Sequence, residues 1–292
     1  MAGANLKAIR KRIASVKSTQ KITRAMKLVA AARLRRAQED ILALRPYALK
    51  TLEVLSAVAA RAGDDEEVHP LLARRPPERV LLVVLTSDRG LCGSFNSSIL
   101  KMAMAEWKRR EADGATVKFV CIGRKGAEFL ERRGATIVQR FTGLAQDIPH
   151  EKAVEIGKII VGEYTSRELD ACFLVYNEFK SAISQKVVVE PLLPITPMEM
   201  PPSMGSIDFD YEPSKEALLD TLLPMYVDTE VYRAMLESAA SEHGARMTAM
   251  DAATNNAGEL IRKLTLEFNR ARQAAITTEL MEIIGGAEAL KG

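Results

Sequence analysis

The stretch TSDRGLCGSFN, residues 86–96, gathers a carboxylate, a guanidinium, a thiol between two glycines and three hydroxyls within eleven positions. It follows the strand-like run RVLLVVL (79–85) and precedes a helical one, which is where an α/β sheet commonly holds a phosphate. Yet it is not G-x-G-x-x-G, and nothing in the chain matches G-x-x-x-x-G-K-[ST]. Gly90 and Gly93 suit a tight turn with positive φ, and Asp88 and Arg89 can pair with each other. Cys92 has no neighbouring His or C-x-x-C partner to activate it, so a passive loop thiol is expected. GRKG (123–126) reads as a second strand-to-helix turn rather than an anion site.

The other reactive side chains are scattered. Cys92, Cys121 and Cys172 are odd in number and far apart, and none of His69, His150 and His243 stands at ligand spacing from a Cys, Asp or Glu. No catalytic, metal or cofactor constellation is therefore assigned, and the cysteine usage fits a reducing, cytoplasmic or matrix-like compartment. Apolar residues make up 47% of the 292, aromatics only 5%, so Leu, Ile, Val, Met and Ala must fill the interior. Forty-one basic against 38 acidic residues leave a net +3. No run approaches the roughly 20 apolar residues of a membrane span.

The elements that must position these residues fall into three blocks. RVLLVVL, TVKFVCI (116–122), ATIVQRF (135–141), ACFLVYN (171–177) and QKVVVEPL (185–192) are strand-like, with helical stretches at 97–111, 124–133 and 150–166. That alternation predicts a Rossmann-like α/β domain with a mostly parallel five-stranded sheet, the last strand antiparallel at an edge. The boundaries expected are a helix over 1–62, a linker over 63–78, the α/β domain over 79–195, a proline-rich connector over 196–213 and a C-terminal helix over 214–292.

Charge is concentrated in the first block. Lys and Arg occupy 7, 10, 11, 12, 17, 21, 24, 27, 33, 35 and 36, with no acid between Leu6 and Glu39. Leu6, Ile9, Ile13, Val16, Ile22, Met26 and Val29 recur among them, and after Leu34 positions 37, 41, 44, 48, 52 and 55 alternate in threes and fours with one stutter, the mark of a coiled-coil seam. Pro46 should kink the helix or mark a joint. In the last block, Pro224 stands where a helix can restart, and 227, 231, 235, 239, 245, 249, 252, 253, 260, 264, 268, 271 and 275 carry one stripe. About 55 and 65 residues of helix would measure roughly 80 and 95 Å, and the small residues of 237–258 let helix backbones approach. A long antiparallel coiled coil of the N- and C-terminal helices is the simplest arrangement.

Three stretches carry a family resemblance: IRKRIASVKSTQKITRAMKLVAAARLRRAQ (9–38), TSDRGLCGSFN (86–96) and RQAAITTELMEIIGGAEAL (272–290). The last holds Ile276, Thr277, Glu279, Glu282, Gly286, Ala287 and Ala289 at the family's spacings. The chain resembles the gamma subunit of F-type ATP synthases over essentially its whole length. The resemblance implies a non-catalytic central rotor, one copy per complex, whose coiled coil stands inside a hexamer of alternating alpha and beta subunits. The α/β domain forms the foot that meets epsilon and the membrane-embedded c ring. Proton flow turns ring and shaft, drives the catalytic beta sites through their conformations, and the subunit helps regulate ATPase activity. No cofactor or nucleic acid is implied. The MAGA start implies a bacterial protein, peripheral on the cytoplasmic face of the plasma (inner) membrane.

The resemblance also implies contacts with the hexamer. Arg24, Lys27, Arg33, Arg35 and Arg36 form a basic collar for acidic beta loops. Met26 matches a position near the beta lobes, although seam packing would serve equally. Arg272, Gln273 and Thr277 match a set that hydrogen-bonds a beta loop, with Glu279 beside them, although Thr277 could instead be a buried helix threonine. Tyr211 and Glu212 are candidates for the c ring or epsilon. Two other readings make different demands. A basic nucleic-acid-binding helix would bind with steep salt dependence, but its run lacks stacking aromatics. An α/β enzyme using SDRGLCG would act alone and depend on Asp88 or Cys92. The absence of an inserted cysteine pair argues against thiol regulation.

Overall fold

A computed structural model describes residues 2–59, 69–144, 148–196 and 214–289. Ten elements follow in order: α1 (Ala2–Ala59), β1 (Arg79–Leu85), α2 (Phe95–Ala112), β2 (Thr116–Ile122), α3 (Arg124–Glu131), β3 (Thr136–Phe141), α4 (His150–Thr165), β4 (Ala171–Phe179), β5 (Gln185–Leu193) and α5 (Lys215–Ala289). They form two compact units. Residues 31–246 make one, and Met1–Ala30 with Met247–Gly292 make the other.

In the larger unit the sheet order is β3-β2-β1-β4-β5. The first four strands run parallel, and β5 returns antiparallel to β4 at the edge. Alternate residues of the β-branched strands face opposite layers. Leu81, Val83 and Leu85 pack with Ile156, Ile160, Leu223, Val227 and Val231 from α4 and α5. Val80, Leu82 and Val84 pack with Ile99, Ala103 and Leu130 from α2 and α3. Arg79 ties the strand entrances together, its guanidinium and amide both reaching the Asp170 carboxylate at 2.8–3.0 Å. That hydrogen bonding holds Asp170 below the usual carboxylate range.

Neither proline interrupts its helix. α1 passes through Pro46 and α5 through Pro224. Pro46 and Leu42 both lie on the exposed side of α1, so water can satisfy the Leu42 carbonyl that proline leaves without a donor. α5 does not restart at Pro224. It begins nine residues earlier, where the Ser214 hydroxyl accepts the Ala217 amide at 3.2 Å. The small residues of 237–258 serve two surfaces rather than one. Ser241 donates to the Asn177 carbonyl, and a Cβ on Gly244 would stand 3.1 Å from the Ala182 carbonyl oxygen, so this part packs on the β4–β5 hairpin. Ala257 and Gly258 belong to the helix pair described below.

The GRKG turn is closed by backbone. Gly123 takes φ +97, and a Cβ there would stand 2.0 Å from the Thr86 carbonyl oxygen. Gly123→Ala should therefore cost about 2–4 kcal/mol of stability, from the strained φ and the overlap together. Urea unfolding would read this as a lower midpoint at unchanged slope. A variant within ~0.5 kcal/mol of the parent would contradict it.

Candidate partner-binding surface

The smaller unit pairs α1 with α5. Thr23 and Thr254 hydroxyls are 2.8 Å apart, Lys27 Nζ lies 2.6 Å from Asp251 Oδ1, and the Arg10 guanidinium sits over the Phe268 ring at 5.4 Å. As α1 advances, its partner on α5 retreats, so the helices are antiparallel. The less exposed positions of α1 include the series 6, 9, 13, 16, 20, 23, 27 and 30, flanked by 26, and those of α5 include 247, 250, 254, 257, 261, 264, 268, 271 and 275, flanked by 249, 251, 253 and 258. Each central series steps by three and four, as a seam requires. Its ends are apolar and its middle is polar, since Gln20 also donates to the Thr254 carbonyl at 3.4 Å.

That polar middle relocates part of the expected stripe. Ile22 (57% exposed) and Val29 (53%) point outward, and Leu28 is exposed beside them. On α5, residues 252 and 260 are exposed while 254 and 257 take the seam. The result is an outer face of α1 that is both basic and apolar: Ile22, Leu28 and Val29 among Lys21 and Arg24, all exposed. Residues 1–30 hold eight Lys and Arg and no acid, and 247–292 hold five against six acids. Of those eight, Lys27 alone makes an ion pair among the described residues, and that pair is half exposed.

Carried along the helices, this register sets Ala2 opposite Ile276. Beyond that point no described part of α1 lies beside α5. Ile276, Leu280, Met281, Ile283 and Ile284 are all 48–70% exposed and share one side of the helix, with Thr278, Glu279 and Glu282 on the other. An exposed apolar stripe of this breadth on a helix is a surface suited to a partner.

The expected contact residues therefore divide into separate groups. Arg24 is exposed, Met26 half-buried at the seam margin, and Lys27 engaged with Asp251. Arg272, Gln273, Thr277 and Glu279 are exposed on α5. The Thr277 hydroxyl donates to the Gln273 carbonyl at 3.0 Å, so it is not a buried packing threonine. Thr254 faces Arg24's turn of α1, and Arg272 lies eighteen residues further on, about 27 Å along the axis. The two sets are not one patch. Arg33, Arg35 and Arg36 belong to the larger unit, where Arg35 pairs with Glu39 at 3.1 Å and Arg33 is half-buried. Tyr211 and Glu212 lie outside the described residues.

The loop of 86–96 is occupied with holding the larger unit together. Asp88 does not pair with Arg89: its carboxylate accepts the amides of Arg124 and Gly143 at 3.0 and 2.9 Å. Ser87 and Asn96 bond each other, and Asn96 Nδ2 lies 3.3 Å from Cys92 Sγ. Gly93 has positive φ, as does Leu91 rather than Gly90. Arg246 of α5 donates to the carbonyls of Arg89 and Gly90 at 3.4 and 3.3 Å. Burial pushes the Cys92 thiol up, and that of Cys121 up to about 12. Where the strand ends could have held a ligand, α5 places Met235, Ser238, Ala239 and Glu242, leaving a cavity of about 40 Å³, room for little more than water. Among the described residues no group of three His, Cys, Asp or Glu gathers as metal ligands, and no helix is long and apolar enough to cross a membrane.

Residues 5–290 match the ATP synthase family. The chain is 53% identical to the ATP synthase gamma chain of Sorangium cellulosum, covering 98% of this chain and 99% of that one. It is 54% identical to the ATP synthase gamma chain of an Anaeromyxobacter species, with the same coverage. Among solved structures it is similar to a chain of the central stalk and c-ring of the Tetrahymena thermophila mitochondrial ATP synthase, at 29% identity and a TM-score of 0.60, covering 80% of this chain and 99% of that one.

His243 gives this region a pH signature. It is 5% exposed, its Nδ1 has no hydrogen-bond partner, and burial, with Arg246 and Arg33 adding, lowers its pKa to about 4. The folded state therefore holds the ring neutral while the unfolded chain takes a proton near 6.5. This contribution is complete above 6.5 and is lost as pH falls toward 4, amounting to roughly 2 kcal/mol between pH 7.5 and 5. Thermal melts should show a flatter dependence in that window for His243→Leu than for the parent. Parallel curves would contradict the assignment.

Proposed function

Because this chain belongs to the gamma chain family of ATP synthases, we propose that it is the central-stalk rotor of a bacterial ATP synthase, making no ATP itself. It passes rotation driven by proton flow through the c ring to the catalytic beta subunits. The observation that carries this reading is the pairing of full-length family similarity with a helix pair whose outer face remains to be covered. Ile22, Leu28 and Val29 set among Lys21 and Arg24 offer a sliding contact to acidic beta loops. Attraction through long, solvated cations falls off gently with distance and permits rotation, whereas a close-packed apolar interface would lock.

Each remaining assignment has its place in this reading. The end of α5, with its exposed apolar stripe, stands in the bore of the alpha–beta hexamer. Arg272, Gln273 and Thr277, with Glu279 two residues past Thr277, meet a beta loop in one rotary state. Arg24, Met26, Lys27, Arg33 and Arg36 face the beta lobes. Residues 79–195 form the foot toward epsilon and the c ring, and Tyr211 and Glu212 in the 196–213 connector are its contact candidates. The complex holds one copy, peripheral to the cytoplasmic face of the inner membrane, and the subunit takes part in restraining ATPase activity.

Reconstitution with alpha and beta from the same source tests this. The chain alone should be silent; the mixture should co-elute as one complex with raised, steady ATP hydrolysis. Hydrolysis by the chain alone, or indifference to alpha and beta, would remove the reading. Arg272→Ala, Gln273→Ala and Thr277→Ala should each leave the melt unchanged and lower turnover, for Arg272→Ala by about tenfold, the equivalent of one lost charge-assisted hydrogen bond. Full turnover in all three would remove that contact.

A further inference from the structure

In the larger unit the α1 seam closes twice and opens once. Leu34 and Ala37 are buried, as are Thr51, Leu55 and Val58. Between them Ile41, Leu44 and Ala48 keep the same three-and-four spacing but are only half-buried, and Leu49 beside them is 62% exposed. These residues form one wall of a cleft of about 630 Å³. The opposite wall comes from α5 and the β4–β5 pair, with Tyr226 and Phe179 supplying its apolar part.

The rest of that wall carries a surplus of negative charge. The Arg233 guanidinium reaches Glu190 at 2.8 Å, Glu230 at 2.6 Å and Glu237 at 3.0 Å. Three carboxylates thus share one cation. Lys180 is bound to Glu178 at 2.5 Å and offsets none of this. Glu237 Oε2 is buried and has no hydrogen-bond partner. Arg45, on the rim, is exposed. A buried carboxylate with a free oxygen costs stability until a donor reaches it.

We propose that this cleft is a docking groove for an amphipathic helix of a partner subunit, one that lays apolar side chains on Ile41, Leu44, Ala48 and Leu49 and brings a Lys or Arg to Glu230 and Glu237. The spacing selects a helix, because residues recurring by threes and fours form ridges that accept the ridges of another helix. The open stretch from Ile41 to Leu52 is about 17 Å long, three turns. Interruption of a seam that is buried on both sides marks the groove as part of an interface rather than ordinary surface, and the Glu237 oxygen left without a donor, beside three carboxylates that share one guanidinium, selects a cationic occupant.

The proposal rests on assembly of this chain into an ATP synthase, and its test separates the two. Leu49 is replaced by the photoreactive residue p-benzoylphenylalanine, the synthase is assembled and purified, and crosslinks are mapped by mass spectrometry. A chain that fails to assemble counts against the rotor reading. In an assembled complex, the expected product joins residue 49 to a helical segment of another subunit with a Lys or Arg within one turn. Glu237→Gln, alone and with Glu230→Gln, should lower the yield about two- to fivefold, as a partly exposed ion pair would. No intersubunit product, a product on an acidic or non-helical segment, or a yield indifferent to both variants would overturn the groove.

Discussion

Two α-helices can lie side by side over many turns only if each presents the same narrow stripe to the other. For α1 that stripe steps by three and four from Leu6 to Ala30, and the same spacing continues through Leu34, Ala37, Ile41, Leu44, Ala48, Thr51, Leu55 and Val58. A stripe so narrow leaves most of each helix surface outside the seam. Arg24 and Lys21 can therefore stay solvated, and Ile22 and Val29 can face outward, without weakening the pair. The polar layer at Thr23, Lys27, Asp251 and Thr254 adds little stability, since its ion pair is half exposed. Its contribution is register: sliding either helix by one turn would separate the hydroxyls and the charged pair together.

The α/β unit shows how a scaffold suited to ligands becomes one suited to holding a helix. The loop after β1 and the turn after β2 lie where such sheets commonly bind phosphate. Here Glu242 and its neighbours on α5 fill that edge, and Arg246 is held by the carbonyls of Arg89 and Gly90. Asp88 spends both oxygens on backbone amides of the next turns. The reactive-looking residues of this loop are used as ties between the sheet and α5.

The strands and the sheet's parallel order were legible because β-branched runs alternate with helical ones and packing on both faces leaves little choice of register. Seam positions were legible where apolar residues fill them, at 6–16, 34–48 and 264–275. They were missed at 20, 23, 27 and 30 and at 254 and 257, where Gln, Thr, Lys and Ala carry little apolar signal while Ile22 and Val29 supply a false one, and at Met247, Met250 and Ile261, where apolar neighbours at 245, 249, 252, 253 and 260 offered a competing stripe. The apparent stutter at Leu52 had the same cause, since Thr51 holds the seam. The outward apolar residues had one usable signal: Ile22 and Val29 are seven apart, the repeat of a second face. The cleft beside Arg233 had none, because it depends on how far β4 and β5 hold α5 from α1.

The most direct measurement is a disulfide lock across the seam: Thr23→Cys with Thr254→Cys, oxidised within the assembled ATP synthase. If the helices turn together with their outer surface making contact, the disulfide forms readily, the Ile22→Cys and Thr254→Cys pair does not, and ATP turnover is the same locked or reduced. Failure of the first pair to close, or turnover that collapses on oxidation and returns on reduction, would contradict the account.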